Sequence, residues 1–290
     1  MIFSGEHLIS YSYSKPVTLG THFIRLLPRK GPAQRIQQFD LNVFPKPTVQ
    51  EKMLDAENNE VIGMCFSKPT RSFEIYARFR VETLLESPSS LLIDVGKLPP
   101  RRSAAEQQLL APMLQTVSSR RVDELTGKLQ RRAKDSLSFA KATNEWINTH
   151  IDIDSRRDEI TLPAEDTLRS QKGASRDASW LFMTLCRRVG IPARFVSGYC
   201  FDEDIESAHE RHSWAEIWIP GGGWRGFDPS LGLATSDGHI ALCASAQPEN
   251  TLPVQGNFTG NANATMRYDL KLSAIVDEGS KNLNENRMAG

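Results

Sequence analysis

The sequence predicts an α+β fold in which a β-rich N-terminal part precedes a core where a helix packs on an antiparallel sheet. Three observations support this prediction. Short runs over residues 1–82 alternate apolar and polar side chains, which is the pattern of half-buried strands. Apolar residues recur at helical spacing over residues 122–150 and 178–189. Residues 212–228 contain two short runs joined by a glycine-rich turn, which indicates a β-hairpin.

The N-terminal part is predicted to consist of short strands separated by turn-forming residues such as Lys15-Pro16 and Asn58-Asn59. Evenly spaced short strands favour a small antiparallel sandwich or half-barrel. The predicted strands are Leu8–Tyr13, His22–Leu27, Phe39–Phe44, Val61–Phe66 and Phe73–Val81.

The middle of the chain changes character, because prolines and arginines interrupt the apolar periodicity. We predict one short helix there, over Ala104–Leu114. Gly190 and Pro192 end the helix over residues 178–189, and Met266–Val276 is predicted as a last strand. The predicted parts are therefore a β domain (1–82), a linker (83–120), a core (121–276) and a disordered tail (277–290).

The composition excludes several classes of protein. Lys+Arg and Asp+Glu both number 35, so no basic excess points to nucleic acid or to an anionic membrane surface. The N-terminus has no signal-peptide pattern, and no stretch approaches the roughly 18–20 apolar residues of a membrane span. Hydrophobic residues make up 39% of the 290-residue chain, enough for a core without disulfides or metals.

The four cysteines are scattered and show no CxxC spacing, so neither a zinc site nor a disulfide framework is indicated. We therefore predict no metal and no cofactor, and a reducing cytoplasm is the simplest location.

A candidate catalytic constellation lies in residues 173–230. Ser175 stands just before the amphipathic helix, where unpaired backbone N–H groups stabilise a nucleophile or a developing oxyanion. A base must reach that nucleophile, and a third group must orient the base. His212 opens one hairpin strand and Asp228 closes the next, so the two side chains can share a face.

The hairpin register decides whether these two residues can pair. A tight four-residue turn would place Ala215, rather than His212, opposite Asp228. We therefore predict pairing of residue 212 with 228, 214 with 226 and 216 with 224. This register leaves Ile217–Gly223 as a wide loop, unless a bulge makes up the shift.

Each residue also has an ordinary structural interpretation. Ser175 alone can be a helix cap, His212 a packed or surface histidine, and Asp228 a turn residue before proline. The three tryptophans at 214, 218 and 224 are expected in the core. His209, His212 and the acidic residues of Asp202–Glu210 could suggest a metal site, but no zinc-type spacing supports it, and a solvated acidic loop is the simpler interpretation.

The joint pattern resembles a known family. The run GASRDASWLFMTLCRRVGIPARFVSGY followed by HSWAEIWIPGGGWRGFDPSLGL is similar to the bacterial transglutaminase-like family of the papain-type cysteine-hydrolase superfamily. ISYSYSKPVTLGTHFIRLLPR resembles the β-rich domain that precedes this core in many bacterial members. DGHIALCASAQPENTLPVQGNFTG resembles the segment that follows it. The resemblance covers residues 5–82 and 120–275, and it implies a papain-like core with the nucleophile helix against an antiparallel sheet.

The resemblance also implies a Cys-His-Asp triad that acts on protein or peptide amides through a covalent acyl-enzyme. His212 would be the base and Asp228 its orienter. Ser175 departs from the family because it stands where the nucleophilic cysteine is expected. None of the four cysteines of the chain lies at the start of this helix, so none is expected to replace the missing nucleophile.

The serine predicts low or absent activity, because a hydroxyl depends wholly on base removal of its proton whereas a thiol is partly ionised. It can be an engineered inactivating change, the mark of a natural pseudoenzyme, or a natural serine variant. The functional candidates are an acyl-transfer or amide-hydrolase protein, a catalytically silent peptide-binding module, and a serine amidase. The acidic segment Asp202–Glu210 suggests a mild preference for basic groups, and the sequence does not indicate the oligomeric state.

Overall fold

The structure, a computed structural model, describes residues 1–84, 98–154, 160–201 and 211–275. The acidic segment 202–210 and the predicted tail 277–290 lie outside these ranges. The strands are β1 (Ile2–Ile24), β2 (Gln34–Phe44), β3 (Val49–Leu54), β4 (Glu60–Cys65), β5 (Thr70–Thr83), β6 (Asp152–Ile153), β7 (Lys172–Gly173), β8 (Ala193–Cys200), β9 (Arg211–Ile219), β10 (Gly223–Asp228), β11 (Leu233–Ala234), β12 (His239–Ser245), β13 (Val254–Thr259) and β14 (Ala264–Ile275). The helices are α1 (Ala104–Leu109), α2 (Arg120–Gln130), α3 (Ser136–His150), α4 (Ala164–Ser170) and α5 (Ser175–Arg188).

Strand β1 is the central strand of the N-terminal part and pairs with two groups of neighbours. Its first half pairs with β5 and β14, and its second half pairs with β4 and β13, all antiparallel. The predicted turn at Lys15-Pro16 is wrong, because β1 runs through these residues. The register with β5 instead shifts between Ser12 and Val17. A proline without an N–H is tolerated at such an irregularity, where a strand bends from one set of partners to another.

The alternating pattern of the N-terminal strands buries one face of the sheet. Along β5 the side chains of Phe73, Ile75 and Phe79 are buried while their neighbours face outward. Phe79 stacks on Tyr199 of β8 at a centroid distance of 5.2 Å. The N-terminal sheet therefore packs against the back of the second sheet.

The second sheet has the order β11-β10-β9-β8-β12, and helices cover its other face. Helix α5 is buried along nearly its whole length, and its Leu181 and Leu185 belong to the same apolar cluster as Ala215 and Ile217 of β9. Gly190, with φ 80°, follows the end of this helix as the sequence predicts. The expected α+β arrangement, a helix packed on an antiparallel sheet, is confirmed.

The remaining elements agree only in part with the sequence-based expectations. The short helix predicted over Ala104–Leu114 is present as α1 followed by a 3₁₀ turn at Ala111–Leu114. The sequence did not indicate β3, α4, β12 and β13. The last strands, β13 and β14, return to β1 rather than to the second sheet. The division of the chain at residues 82, 120 and 276 stays a prediction.

None of the helices in the described ranges combines the length and apolar character needed to cross a membrane.

Candidate active site

Helix α5 begins at Ser175, as the sequence predicts, with Ala174 as its N-cap residue. Asp177, fully buried in the first turn, accepts hydrogen bonds from the Ala174 N–H at 2.8 Å and from the Leu162 N–H at 2.8 Å. These contacts fix the start of the helix to the preceding loop. The first turn of a helix has N–H groups without intrahelical partners, and these suit a developing negative charge.

A serine one turn into the helix connects it to the sheet. The Ser179 hydroxyl contacts the carbonyl oxygens of Ser175 at 2.7 Å and of Ser213 at 3.1 Å. Residues four apart lie on one helix face, so Ser175 and Ser179 face the same way. The start of α5 therefore lies beside the start of β9, where His212 stands next to Ser213. The direct approach of the Ser175 hydroxyl to the His212 ring stays a prediction.

The structure brings His212 and Asp228 together. The Nε2 atom of His212 lies 2.5 Å from Oδ2 of Asp228 and donates to it. This contact leaves Nδ1 as the ring nitrogen that can accept a proton from a group at position 175. His212 is part-exposed whereas Asp228 is completely buried. A solvent-facing base with a buried orienting carboxylate is the arrangement that nucleophile activation requires.

The predicted hairpin register, however, is wrong. Ile219 pairs with Gly223, Trp224 with Trp218, and Phe227 with Ala215. Gly221 and Gly223 both have φ 72°, and the Gly222 N–H donates to the Ile219 carbonyl at 2.9 Å, so the connection is a tight turn and not a wide loop.

This register still allows the contact between His212 and Asp228. Continuing it by one step places Asp228 opposite residue 214, two positions from His212. Diagonal neighbours on one sheet face are about 7–8 Å apart at the backbone, and side chains of this length bridge that gap.

Asp228 accepts hydrogen bonds on both oxygens. Its Oδ1 atom accepts from the Ser230 N–H at 3.0 Å, the Ser230 hydroxyl at 2.5 Å and the Leu231 N–H at 3.2 Å. Its Oδ2 atom accepts from His212 and from His239, the latter at 3.1 Å. Burial raises the pKa of the Asp228 carboxyl, but the charge of His212 and the hydrogen bonds from both imidazoles outweigh it and hold that pKa well below its usual range. The carboxylate is therefore ionised and fixed in orientation.

Sequence reasoning misses two residues of this site, His239 and Cys200. They pair directly across β12 and β8, and the Cys200 sulfur lies 3.8 Å from Nε2 of His239. The apolar run after Gly238 could have indicated the buried strand β12. No local sequence pattern, however, indicates that β12 pairs with β8, a strand some 40 residues earlier. Cys200 lies at the His–Asp pair, on strand β8 and not at the start of α5, which agrees with the expectation that it does not replace the nucleophile.

The donor atoms of Cys200, His212, Asp228 and His239 lie within 4.8 Å of one another, and these are the side-chain types that bind zinc. The hydrogen bonds of His239 do not fit that role. The Ser236 N–H donates to Nδ1 of His239 at 3.1 Å. A neutral histidine that binds a metal through Nε2 must carry its proton on Nδ1, where it donates to an acceptor. The arrangement favours hydrogen bonding over metal coordination. The other candidate metal residues, His209 and the acidic segment, lie outside the described residues.

The three tryptophans lie on the β9–β10 hairpin, Trp214 at the site and Trp218 and Trp224 near the turn. Trp214 is buried, as expected, and its ring meets the edge of His239 at 5.2 Å. Trp218 and Trp224 are half-buried and pack on each other at 5.5 Å. The Arg194 guanidinium covers the Trp224 ring at 4.1 Å.

Comparison with known proteins finds similarity over both parts of the chain. Residues 123–229 match the model of the transglutaminase-like superfamily, and residues 5–82 match that of the bacterial transglutaminase-like N-terminal region. An uncharacterised protein of Mycobacterium leprae, ML0607, is 23% identical over 276 residues, which cover 93% of this chain and 98% of the relative. An uncharacterised protein of Mycobacterium tuberculosis is 22% identical over 309 residues, covering 94% and 92%.

A crystal structure of a provisionally assigned cysteine protease from Cytophaga hutchinsonii superposes with a TM-score of 0.70 and covers 96% of this chain and 92% of its own. Its sequence is 20% identical, so this likeness shows the fold. The resemblance seen in the motifs is confirmed by the two family models. Residues 123–229 therefore belong to the transglutaminase-like superfamily, and residues 5–82 are a bacterial transglutaminase-like N-terminal region.

Proposed function

We propose that the protein carries an acyl-transfer or amide-hydrolase site in which Ser175 occupies the nucleophile position, His212 is the base and Asp228 orients the base. One observation carries this proposal. A part-exposed imidazole donates at 2.5 Å to a buried carboxylate, and both lie beside the start of a buried helix.

The chemistry follows from these positions. The oxygen or sulfur at position 175 attacks the carbonyl carbon of an amide or ester, and its proton passes to Nδ1 of His212. Backbone N–H groups at the start of α5 stabilise the oxyanion. His212 then returns the proton to the departing amine, and the acyl group remains on residue 175 until water or another amine removes it. Asp228 keeps Nδ1 unprotonated at the outset by accepting from Nε2.

Ser175 lowers the expected rate, since its hydroxyl must lose a proton as it attacks whereas a thiol is partly ionised beforehand. Triad members act as a unit, so the expected loss is several orders of magnitude. The same serine favours a second function, a catalytically silent module that binds a peptide at this site without reacting with it. A serine amidase is a weaker third possibility.

The proposed substrate or ligand is a protein or peptide, and the even charge balance of 35 basic and 35 acidic residues supports no nucleic-acid role. The described cysteines are free, which suits the proposed cytoplasmic location.

Restoring the thiol with Ser175→Cys tests the proposal. The background should carry Cys65→Ser, because Cys65 is exposed and would react by itself. We expect residue 175 to be alkylated by iodoacetamide at least about tenfold faster than free cysteine at pH 7, because the helix and His212 stabilise the thiolate. Peptide mass spectrometry separates residue 175 from Cys200.

The matched control is the same variant with His212→Gln, which keeps the thiol and the helix but removes the base. The proposal is rejected if the two variants react equally fast while both remain folded. A fluorophosphonate probe on the unaltered chain tests the serine amidase, and labelling of Ser175 would support it. Peptide binding without any gain of reactivity in Ser175→Cys would support the silent module.

A further inference from the structure

Two histidines donate to one oxygen of the candidate triad carboxylate. His212 and His239 both direct Nε2 at Oδ2 of Asp228, at 2.5 and 3.1 Å. A single carboxylate balances one positive charge, so the two rings compete to be the cationic partner. Which ring wins decides whether His212 can act as a base.

The far side of each ring distinguishes them. The Nδ1 atom of His239 faces the backbone N–H of Ser236 at 3.1 Å and the Ser236 hydroxyl at 3.4 Å. The hydroxyl can donate or accept, so the shorter backbone contact decides the role of Nδ1. A backbone N–H can only donate, so Nδ1 of His239 must offer a lone pair. The proton of His239 is therefore on Nε2, where it is donated to Asp228. Within the described part of the chain, no hydrogen bond places a donor against Nδ1 of His212, so that ring is able to become doubly protonated.

The electrostatic surroundings of His239 point the other way. Three titratable groups face it, namely Asp228, His212 and Cys200, and Trp214 packs on its edge. Burial disfavours a charged ring, yet hydrogen bonds to Asp228 and Cys200 and their charges raise the pKa of His239 to about 9. A cationic His239 would nevertheless set its Nδ1–H against the Ser236 N–H. Two donors cannot share that 3.1 Å contact, so the hydrogen-bond geometry takes precedence over the surrounding charge.

We propose that His239 is a positioning residue: a neutral ring, protonated on Nε2 alone, that holds Asp228 in place and leaves His212 as the ring that takes up a proton. Its positioning role rests on the function proposed above, whereas its protonation state does not. A buried neutral donor has one advantage over a second cation here. It binds the carboxylate without cancelling the negative charge that stabilises the His212 imidazolium.

The direct test is long-range ¹H–¹⁵N spectroscopy of the unaltered protein labelled with ¹⁵N, between pH 5.5 and 8.5. The chain has six histidines, so the rings of His212 and His239 are assigned with His212→Gln and His239→Gln. We expect His239 to show one protonated nitrogen, Nε2, and one unprotonated nitrogen, Nδ1, without change over this range. A doubly protonated His239 ring at pH 7, or a proton on Nδ1 alone, would overturn the proposal.

Two substitutions test the positioning role. His239→Gln keeps an N–H donor near the position of Nε2, whereas His239→Leu removes it. In His239→Leu the Oδ2 atom loses its second imidazole donor, and we expect the ¹H and ¹⁵N signals of His212 Nε2–H to shift because that group is then the one imidazole donor left to Oδ2. His239→Gln should stay within about a third of that shift. Equal shifts in two folded variants, or no shift in either, would reject the role.

A reactivity measurement separates this inference from the proposed function. In the Ser175→Cys, Cys65→Ser background, His239→Leu should slow alkylation of residue 175 at pH 7 more than His239→Gln does, because the leucine no longer holds Asp228 in place. If Ser175→Cys gains no reactivity but His239 is neutral in the spectra, the proposed function fails and the protonation state stands. If Ser175→Cys reacts rapidly and His239 is cationic, the function stands and this inference fails.

Discussion

The buried carboxylate of Asp228 is the group whose replacement tests the site geometry most severely. In Asp228→Asn one oxygen remains, and it can serve the three donors from Ser230 and Leu231. The amide nitrogen then faces the two imidazoles. His239 cannot turn into an acceptor, because Ser236 holds its Nδ1 as the acceptor. His212 can accept only by moving its proton to Nδ1, the nitrogen that should face residue 175.

The magnitude follows from the hydrogen bonds that the amide cannot replace. A hydrogen bond to a charged group contributes about 1.5–3 kcal/mol, and two of them on Oδ2 are lost. Removing one partner of a buried pair costs about 3–5 kcal/mol in measured cases. We expect Asp228→Asn to lower the free energy of unfolding by about 3–5 kcal/mol. The free energy of unfolding of a domain is about 5–15 kcal/mol, so much of the variant should remain folded.

Urea unfolding followed by tryptophan fluorescence measures this loss, with Asp177→Asn as the matched control. Asp177 is equally buried, and it accepts hydrogen bonds from the backbone N–H groups of Ala174 and Leu162. Its substitution should cost less, about 1–3 kcal/mol. We infer that the two imidazole contacts make the Asp228 carboxylate contribute more to stability than the Asp177 carboxylate. This would be refuted if Asp228→Asn lost less than about 1 kcal/mol of the free energy of unfolding, or if Asp177→Asn lost more than Asp228→Asn.

Two further predictions use the same assay. Because the pKa of Asp228 is depressed in the folded state, its stabilisation is present above the unfolded pKa of about 3.9 and is lost as pH falls below it. Between pH 2 and 4 the free energy of unfolding should therefore fall more steeply for the unaltered protein than for Asp228→Asn, by up to about 1.4 kcal/mol per pH unit; equal slopes would contradict this. Gly198→Ala should cost at least about 2 kcal/mol, because the new Cβ would lie 2.2 Å from the Ile240 carbonyl and 2.7 Å from the Trp214 ring. The control is Gly127→Ala, whose new Cβ meets only a flexible side chain at 3.7 Å; the free energy of unfolding should rise by up to about 1 kcal/mol because alanine favours helix α2. If Gly198→Ala left the free energy of unfolding unchanged, β8 and β12 would not pack as closely as described.

Part of the site could be predicted from the sequence because it depends on local patterns. The start of α5 at Ser175 follows from a helical apolar period that begins just after it. The shared face of His212 and Asp228 follows from strand parity, which the observed register preserves. The predicted register is wrong because it requires the two residues to be directly opposed. A diagonal contact suffices, and a tight turn with two glycines at positive φ then connects the strands.

The remaining part of the site depends on contacts between distant segments. His239 and Cys200 meet only because β12 pairs with β8, and no periodicity in either strand specifies its partner. The bend in β1 is similar. Lys15-Pro16 is a good turn signal, but hydrogen bonding on both sides of β1 overrides it, and the proline is accommodated where the register shifts. Local patterns thus define the elements, whereas tertiary pairing decides which side chains complete the site.

The pairing of β1 with β14 has a consequence for how the protein is made. Ile2 lies opposite Ile275, so β1 is synthesised well before β14, the strand that completes its pairing. Residues of the second sheet and its helices, from α2 to β12, are contiguous and can fold as they leave the ribosome. The N-terminal strands meanwhile have an unpaired edge along β1, which is an aggregation hazard during translation. We therefore expect premature stops before β14 to yield a chain whose N-terminal part is insoluble, although the missing residues lie at the opposite end of the sequence.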